Sequence, residues 1–272
     1  MKSIGHIKKM VTSLTSPVQY QLPIDDELVS LNDYIGKSIS LHYSGEINCI
    51  SCGSKTKKSF NQGHCYRCFI SLASCDMCIM KPETCHYHLG TCREPEWGKT
   101  HCMQHHYVYL ANSSGIKVGI TRGTQIPTRW IDQGATQALA IFRVSNRLLS
   151  GKIEVAIKAH VSDRTDWRKM LKADATYVDL LEKRDELIHA TESEIQKVKK
   201  EVNDTGIELL SDAEPVNINY PVESYPEKVK SLNFDKTAEV AGVLKGIKGQ
   251  YLILDSGVLN IRKFAGYHIT FN

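Results

Sequence analysis

The 272-residue sequence has no long hydrophobic run. A helix that spans a membrane needs about 20 consecutive, mostly apolar residues, and no stretch of the chain approaches that length. Residues 1–16 also lack the apolar core of a secretory signal peptide. We therefore expect a cytoplasmic protein with no membrane partner.

The sequence also has little net charge and no internal repeat of fixed period. Its formal net charge is +4, which is too small to indicate a polyanionic partner by itself. Hydrophobic residues make up 42% of the chain and charged residues 24%, as in ordinary globular proteins. This composition excludes a chain that is disordered over most of its length.

Cysteine is absent from most of the chain, because all nine cysteines lie between Cys49 and Cys102. Cysteine pairs two residues apart, in a chain without a secretion signal, usually bind metal and seldom form disulfides. The uneven distribution favours several small units over one large core. The predicted units are N-terminal strands (1–45), a zinc-binding segment (46–105), a central domain (106–173), a long helix (174–206), and a linker with a C-terminal β segment (207–272).

Two CxxC pairs, Cys49–Cys52 and Cys65–Cys68, are separated by twelve residues. Two hairpin turns at this spacing can bring four thiolates around one tetrahedral ion. Four thiolates leave no open position for water or substrate, so the pattern predicts a structural Zn²⁺ in a zinc ribbon.

A second, less regular cluster follows the ribbon. It contains more candidates than one site needs, so it predicts one further zinc ion, two, or a mixture of ligands and ordinary buried thiols. The candidate ligands are Cys75, Cys78, Cys85, His88, Cys92, Cys102 and His105.

Basic residues lie among the aromatic residues of the ribbon. Lys55, Lys57, Lys58 and Arg67 alternate with Phe60, Tyr66 and Phe69. This pattern is typical of a nucleic-acid contact surface, although each lysine could equally be a solvated surface residue. The expected partner is DNA or RNA.

The central segment has the periodicity of a ββαβα unit. Residues 107–111 and 116–121 predict a β-hairpin, 128–134 a short helix that ends at a glycine, 138–144 a third strand, and 152–161 a second helix. The element types and their order therefore predict an α+β fold.

This segment resembles the GIY-YIG nuclease superfamily, in its divergent branch with VY and KVG in the hairpin strands. The cysteine-rich segment followed by HYVYLANSSGIKVGIT and RWIDQGA is similar to an uncharacterised bacterial family that contains this domain. The resemblance implies an endonuclease site that uses Mg²⁺ or Mn²⁺. It places Tyr109 on the attacking water, Lys117 in place of the second-strand tyrosine, Arg129 on the phosphate and Glu154 on the metal.

The two remaining segments predict a helix and a sheet. Apolar residues recur every seven positions at 181, 188, 195 and 202, which predicts one long amphipathic helix over 175–202. Its apolar face packs within the chain or binds a protein partner. Residues 239–264 predict three strands of a small barrel or sheet, to which strands at Val11–Tyr20 and Ile35–Tyr43 would add.

Together these features predict a zinc-containing protein that binds nucleic acid, with an active or a degenerate endonuclease domain. The alternative is a zinc-stabilised scaffold that binds another protein through the ribbon or the long helix.

Overall fold

The computed structural model describes residues 2–162, 164–203 and 205–272. It has three antiparallel sheets with helices between and beside them, so the predicted α+β class is confirmed. Within the described residues, no helix is long and apolar enough to cross a membrane.

The strands are numbered in chain order. They are β1 Ser3–His6, β2 Val11–Ser13, β3 Gln19–Ile24, β4 Glu27–Ser30, β5 Ser38–Ile47, β6 His106–Asn112, β7 Ile116–Arg122, β8 Gln137–Val144, β9 Ile207–Leu209, β10 Val216–Asn217, β11 Glu239–Lys248, β12 Tyr251–Leu254, β13 Gly257–Asn260 and β14 Tyr267–Phe271.

The α-helices are numbered in the same way, and short 3-10 helices lie between several elements. The α-helices are α1 Tyr66–Ser71, α2 Met77–Met80, α3 Pro95–His101, α4 Thr128–Asp132, α5 Arg147–Ile157, α6 Trp167–Met170, α7 Leu180–Ala190 and α8 Glu192–Glu201.

The two ends of the chain form one β module. Its six-stranded sheet has the order β1-β14-β5-β11-β12-β13, and β2, β3 and β4 form a three-stranded sheet beside it. The strand order of the six-stranded sheet is open, so among the described residues the module is a sheet and not a closed barrel. Of the two N-terminal strands predicted to join the C-terminal sheet, the one at Ile35–Tyr43 does so as β5, and β1, which was not predicted, joins it as well.

The predicted single strand over Val11–Tyr20 is wrong. The chain turns between β2 and β3, where the Thr15 hydroxyl donates to the Pro17 carbonyl at 2.7 Å. Both strands belong to the separate three-stranded sheet.

The β module is an internal duplication, contrary to the expectation that the chain has no repeat. The run β3, β4, 3-10 helix, β5 has the same element order as β12, β13, 3-10 helix, β14. Identical residues recur in this run at one constant spacing: Leu22, Asp25, Gly36 and Ile39 in the first copy, and Leu252, Asp255, Gly266 and Ile269 in the second. Both Gly36 and Gly266 have a positive φ, 79° and 85°, a conformation that favours glycine.

Matching hydrogen bonds appear in the two copies. The Asp25 carboxylate accepts from the His6 N–H at 3.1 Å, and Asp255 accepts from the Val243 N–H at 2.9 Å. The Gly266 N–H donates to Ile7 and the Gly36 N–H to Leu244, each at 2.8 Å. The equivalent positions Leu41 and Phe271 face each other in the antiparallel pair β5–β14. The copies are therefore related by an approximate two-fold axis, and each completes the other.

The central domain has the predicted order ββαβα, as β6, β7, α4, β8 and α5. Its sheet has the order β10-β8-β6-β7, with β9 also paired to β8. One face packs on the β module, since Tyr109, Ala111 and Trp130 belong to the module's apolar core. The other face packs on α5, α7 and α8 through Val108 and Leu110.

The predicted helix over 152–161 begins earlier in the structure, at Arg147, and ends at Ile157. The Asn146 side chain caps it by accepting from the Leu149 N–H at 3.0 Å. Gly151 lets this helix touch the cysteine-rich segment, because a Cβ there would lie 2.2 Å from the Glu83 backbone nitrogen.

The prediction of one long helix over 175–202 is wrong. Two helices, α7 and α8, are separated at Thr191, which is buried and donates its hydroxyl to the Leu187 carbonyl at 2.6 Å. Leu187, Ile195 and Val198 are buried against the central sheet. Much of the apolar face that could bind a partner therefore packs within the chain.

The duplication predicts matched effects at Asp25 and Asp255. Asp255→Ala should lower the free energy of unfolding by about 1 kcal/mol, because the Val243 N–H loses its acceptor, whereas Asp255→Asn keeps an acceptor oxygen. Asp25→Ala should cost at least as much, since residue 25 has a φ of 47° that disfavours alanine. Denaturant unfolding measures both, with Asp26→Ala as the control in the same turn. Equal stability of Asp255→Ala and wild type would contradict this.

Candidate metal centre and its surroundings

The four ribbon cysteines lie at two tight turns that face each other. Cys49 follows β5, and its carbonyl accepts from the Gly53 N–H at 2.9 Å, in a turn that Gly53 closes with a φ of 71°. Cys65 caps α1, where its Sγ accepts from the Cys68 N–H at 3.5 Å. Each turn therefore presents two sulfurs to the same point.

The geometry of these sulfurs fits a zinc ion. The Sγ atoms of Cys49, Cys52, Cys65 and Cys68 all lie within 4.8 Å of one another, and Cys52 and Cys65 are 3.8 Å apart. Ligands about 2.3 Å from zinc at tetrahedral angles are about 3.8 Å from each other, whereas bonded disulfide sulfurs are about 2.05 Å apart. The first predicted cluster could therefore hold a structural zinc ion.

Hydrogen bonding polarises the thiols of this cluster. Hydrogen bonds from Ser54, and then from Cys68 and Cys49, lower the pKa of Cys52 to about 6. Burial, together with hydrogen bonding to Cys52, raises the pKa of Cys68 to about 12. One thiolate thus forms readily at neutral pH, and a bound cation would supply the charge that the buried members need.

The second cluster gathers four of its candidate cysteines around one small cavity. Cys78, Cys85, Cys92 and Cys102 line it, together with Asp76 and His86. A hydrogen bond with Cys102 is the main cause that lowers the pKa of Cys85 to about 6. Burial, and then the charge of Asp76, raises the pKa of Cys78 to about 11.

Three predicted ligands do not line this cavity. The Cys75 Sγ accepts from the Asn61 amide at 3.3 Å. His88 is exposed on a 3-10 helix, and the His105 ring lies 3.2 Å from the Arg143 guanidinium.

The basic residues of the ribbon differ in their partners. Lys55 forms an ion pair with Glu46 at 2.8 Å. Lys58 lies 5.3 Å above the Phe60 ring, while Lys57 and Arg67 are exposed. Phe60 stacks on Phe69 at 5.8 Å and contacts Tyr66 at 5.4 Å, and Tyr66 is 59% exposed. The ribbon thus carries an aromatic cluster bordered by cations.

Tyr109 and Lys117, two of the residues that the resemblance places in a nuclease site, are both buried. Tyr109 is 0% exposed and donates to the Gln133 side chain at 3.1 Å. Its ring crosses the neighbouring strand at Gly119, where a Cβ would lie 2.7 Å from its hydroxyl oxygen. Lys117 is 4% exposed and donates to the Thr165 hydroxyl at 2.6 Å.

The charges of Arg129 and Glu154 affect the pKa of the Tyr109 hydroxyl. Burial raises the pKa of Tyr109, the Arg129 guanidinium opposes that rise, and the Glu154 carboxylate adds to it. Arg129 lies on α4, on the same side of the sheet as Tyr109, whereas Glu154 lies on α5, which packs against the other face. The structure thus brings Tyr109 and Arg129 together, with Glu154 approaching from across the sheet.

Arg147 is a residue that sequence reasoning missed. Its guanidinium donates to the Ile79 carbonyl at 2.6 Å and to the Cys78 carbonyl at 3.4 Å, and its backbone N–H donates to Cys102 at 2.8 Å. The helix cap Asn146 was a local signal that α5 begins here, but no local pattern shows that α5 touches the second cluster.

Removing one ribbon ligand should release the ribbon zinc. Cys65→Ser should lower the zinc content of purified protein by about one ion per chain, because three thiolates cannot close a structural site. Elemental analysis with a protein assay measures this, and Cys75→Ser is the control, since Cys75 does not belong to the four-sulfur cluster. Wild-type protein that is folded and free of zinc would contradict the assignment.

Comparison with known proteins assigns the chain to a family. No curated protein matches the chain, and no solved structure matches it either. A family model described as "Protein of unknown function (DUF2797)" matches residues 36–269, which include the ribbon, the second cluster, the central domain and, of the β module, β5, β11, β12, β13 and part of β14. The chain belongs to this DUF2797 family.

Proposed function

We propose that this protein binds nucleic acid through its zinc ribbon. The observation that carries the proposal is the exposed Tyr66 ring in contact with Phe60, next to Arg67 and beside a four-cysteine cage. Bases of single-stranded nucleic acid stack on exposed aromatic rings, and neighbouring cations meet the phosphates. A zinc ion in the cage would hold this surface rigid, so that little conformational freedom is lost on binding.

The charges around Tyr66 support this role. Lys57 and Arg67 are exposed, and Lys58 lies over the Phe60 ring. Lys55 contributes less, because Glu46 already neutralises it. The surface therefore combines stacking with a modest positive charge, which favours a single strand over sequence-specific reading of a duplex.

Binding should depend on both the ring and the cation. Tyr66→Ala should weaken affinity for a single-stranded oligonucleotide about 5- to 100-fold, because it removes a stacking platform. Arg67→Gln should weaken it less and should reduce the slope of log affinity against log salt by roughly one. Fluorescence anisotropy with labelled single-stranded DNA and RNA measures this, with Lys172→Gln as the control for an exposed lysine outside the ribbon.

Two results would contradict nucleic-acid binding through the ribbon. One is the absence of binding to either oligonucleotide at low salt, which would favour the scaffold that binds a protein partner. The other is binding that Tyr66→Ala and Arg67→Gln leave unchanged, which would move the interface to another part of the chain.

We further propose that the central domain, residues 106–173, is GIY-YIG-like. The order ββαβα, the pairing of Tyr109 with Gly119 and the contact between Arg129 and Tyr109 support this assignment. The burial of Tyr109 favours a domain that binds without cutting, because a tyrosine that acts on water must reach solvent or substrate. Cleavage is the second candidate; it would need Glu154 to act with Tyr109 although α5 packs against the opposite face of the sheet.

Glu154→Gln separates these candidates. If the domain cuts, this change should abolish cleavage that depends on Mg²⁺ or Mn²⁺ and leave affinity nearly unchanged, because it removes an anionic metal ligand with little change in volume. A nicking assay on plasmid DNA and labelled RNA measures this, with Glu192→Gln as a control at an exposed acidic residue of α8. Cleavage that survives Glu154→Gln would place any activity elsewhere.

A further inference from the structure

The segment that holds both cysteine clusters has almost no apolar core. The three apolar cores of the described residues contain no member between residues 48 and 107. Five of the cysteines in this segment are nevertheless buried. A segment of this length without an apolar core needs cross-links, and bound metal is the usual one where thiols are clustered and reduced.

Three of the buried thiols come from different elements and meet at one cavity. Cys78 lies on α2, Cys85 follows the 3-10 helix Pro82–Thr84, and Cys102 follows α3. All three side chains line the same cavity. One ion here would tie three otherwise separate elements together.

Cys92 is held at the same cavity by its two neighbours. The Arg93 guanidinium pairs with Asp76 at 2.7 Å, and the Glu94 carboxylate accepts from the Ala73 N–H at 2.6 Å. Both contacts hold residues 92–94 against residues 73–76, which precede Cys78 in the chain. A Cβ at Gly98 would lie 3.1 Å from the Cys92 Sγ, so the glycine leaves room for this sulfur one helical turn before Cys102.

Asp76, Cys78 and His86 form a competing set, with ligand atoms within 4.8 Å of one another, a spacing that the sulfurs of Cys78, Cys85, Cys92 and Cys102 do not all meet. Asp76, however, is already paired with Arg93 and also caps α2 through the Cys78 N–H at 3.2 Å. The His86 Nδ1 lies 2.7 Å from the Thr91 hydroxyl, which leaves Nε2 for a metal, so His86 is tested directly below. Thiolates are also the softer donors, which zinc and related metals prefer in structural sites.

The Arg147 guanidinium places a positive charge next to the second cluster, where a four-thiolate site would need one. Zinc with four thiolates carries two net negative charges. The buried end of Arg147 bonds to the carbonyls of Cys78 and Ile79, and its backbone N–H bonds to Cys102. Because Arg147 is also the first residue of α5, this contact joins the cluster to the central domain.

We propose that Cys78, Cys85, Cys92 and Cys102 bind a second structural zinc ion, which fastens the cysteine-rich segment to the N-terminus of α5. The site is separate from the ribbon cage, and it does not depend on nucleic-acid binding. Arg147 is its positioning residue, because it contacts two ligand residues and bears the compensating charge.

The zinc content of the full chain tests the site. Wild type should contain about two zinc ions per chain. Cys85→Ser and Cys102→Ser should each lower that content by about one ion, and Cys75→Ser, a cysteine of the same segment that does not line the cavity, should leave it unchanged. About one ion in wild type, with Cys85→Ser unaltered, would overturn the proposal.

The fourth ligand is tested by a matched pair of variants. Cys92→Ser should lose the second ion and His86→Ala should keep it; the reverse result would overturn the assignment of Cys92. If the serine variants do not fold, cobalt can replace zinc in the wild-type chain, because its thiolate charge-transfer band grows with the number of bound sulfurs. The band should correspond to about eight cobalt–sulfur bonds per chain, and a value near four would exclude the second site.

Discussion

The pairing of β5 with β14 and β11 is the constraint on which the rest of the fold depends. Through it, residues near the two ends of the chain become neighbours at the centre of one sheet. Each copy of the duplicated unit supplies a strand to the other: β1 of the first copy lies on β14 of the second, and β11 of the second lies on β5 of the first. Neither copy can complete its sheet alone, so the segments between them are held as one long insertion between β5 and β11.

This frame decides what the central domain can expose. One face of the β6–β8 sheet is covered by the β module and the other by α5, α7 and α8. Tyr109 points to the module and is enclosed by Trp130 and the α4 region, at a ring-centroid distance of 6.0 Å from Trp130. In this arrangement the residue that resembles a catalytic tyrosine also packs in a core that joins two units. No described element covers the ribbon in this way, and its Tyr66 ring is 59% exposed.

Local patterns in the sequence predicted the elements whose causes are local. The spacing of Cys49, Cys52, Cys65 and Cys68 was enough to group these four sulfurs, because two tight turns need only nearby residues. The hairpin β6–β7 and the helix α4 followed from alternation and glycine for the same reason. The break between α7 and α8 at Thr191 was not predicted, because a threonine hydroxyl can either face solvent in a continuous helix or bond back to a carbonyl, here that of Leu187, where a helix ends.

The duplication was missed for a different reason. Most of its core positions conserve only size and apolar character, as at Tyr34 and Phe264, and few identities remain. The first copy also has a longer connection between its first strands, which are the separate β1 and β2, whereas the second copy has the continuous β11. The two copies share a positive φ at Gly36 and Gly266. They also share a carboxylate, Asp25 or Asp255, that accepts a hydrogen bond from a backbone N–H.

The cysteine-rich segment and the rest of the molecule are therefore stabilised by different interactions. The β module and the central domain bury apolar side chains in large cores, so their stability comes mainly from the hydrophobic effect. The segment from 48 to 107 contributes nothing to those cores, and thiol clusters occur where apolar clusters would otherwise be. The segment connects β5 to β6. Its conformation therefore determines the position of the ribbon relative to the central sheet. Metal bound at its cysteines would then govern the shape of the exposed surface, while the rest of the fold would persist without it.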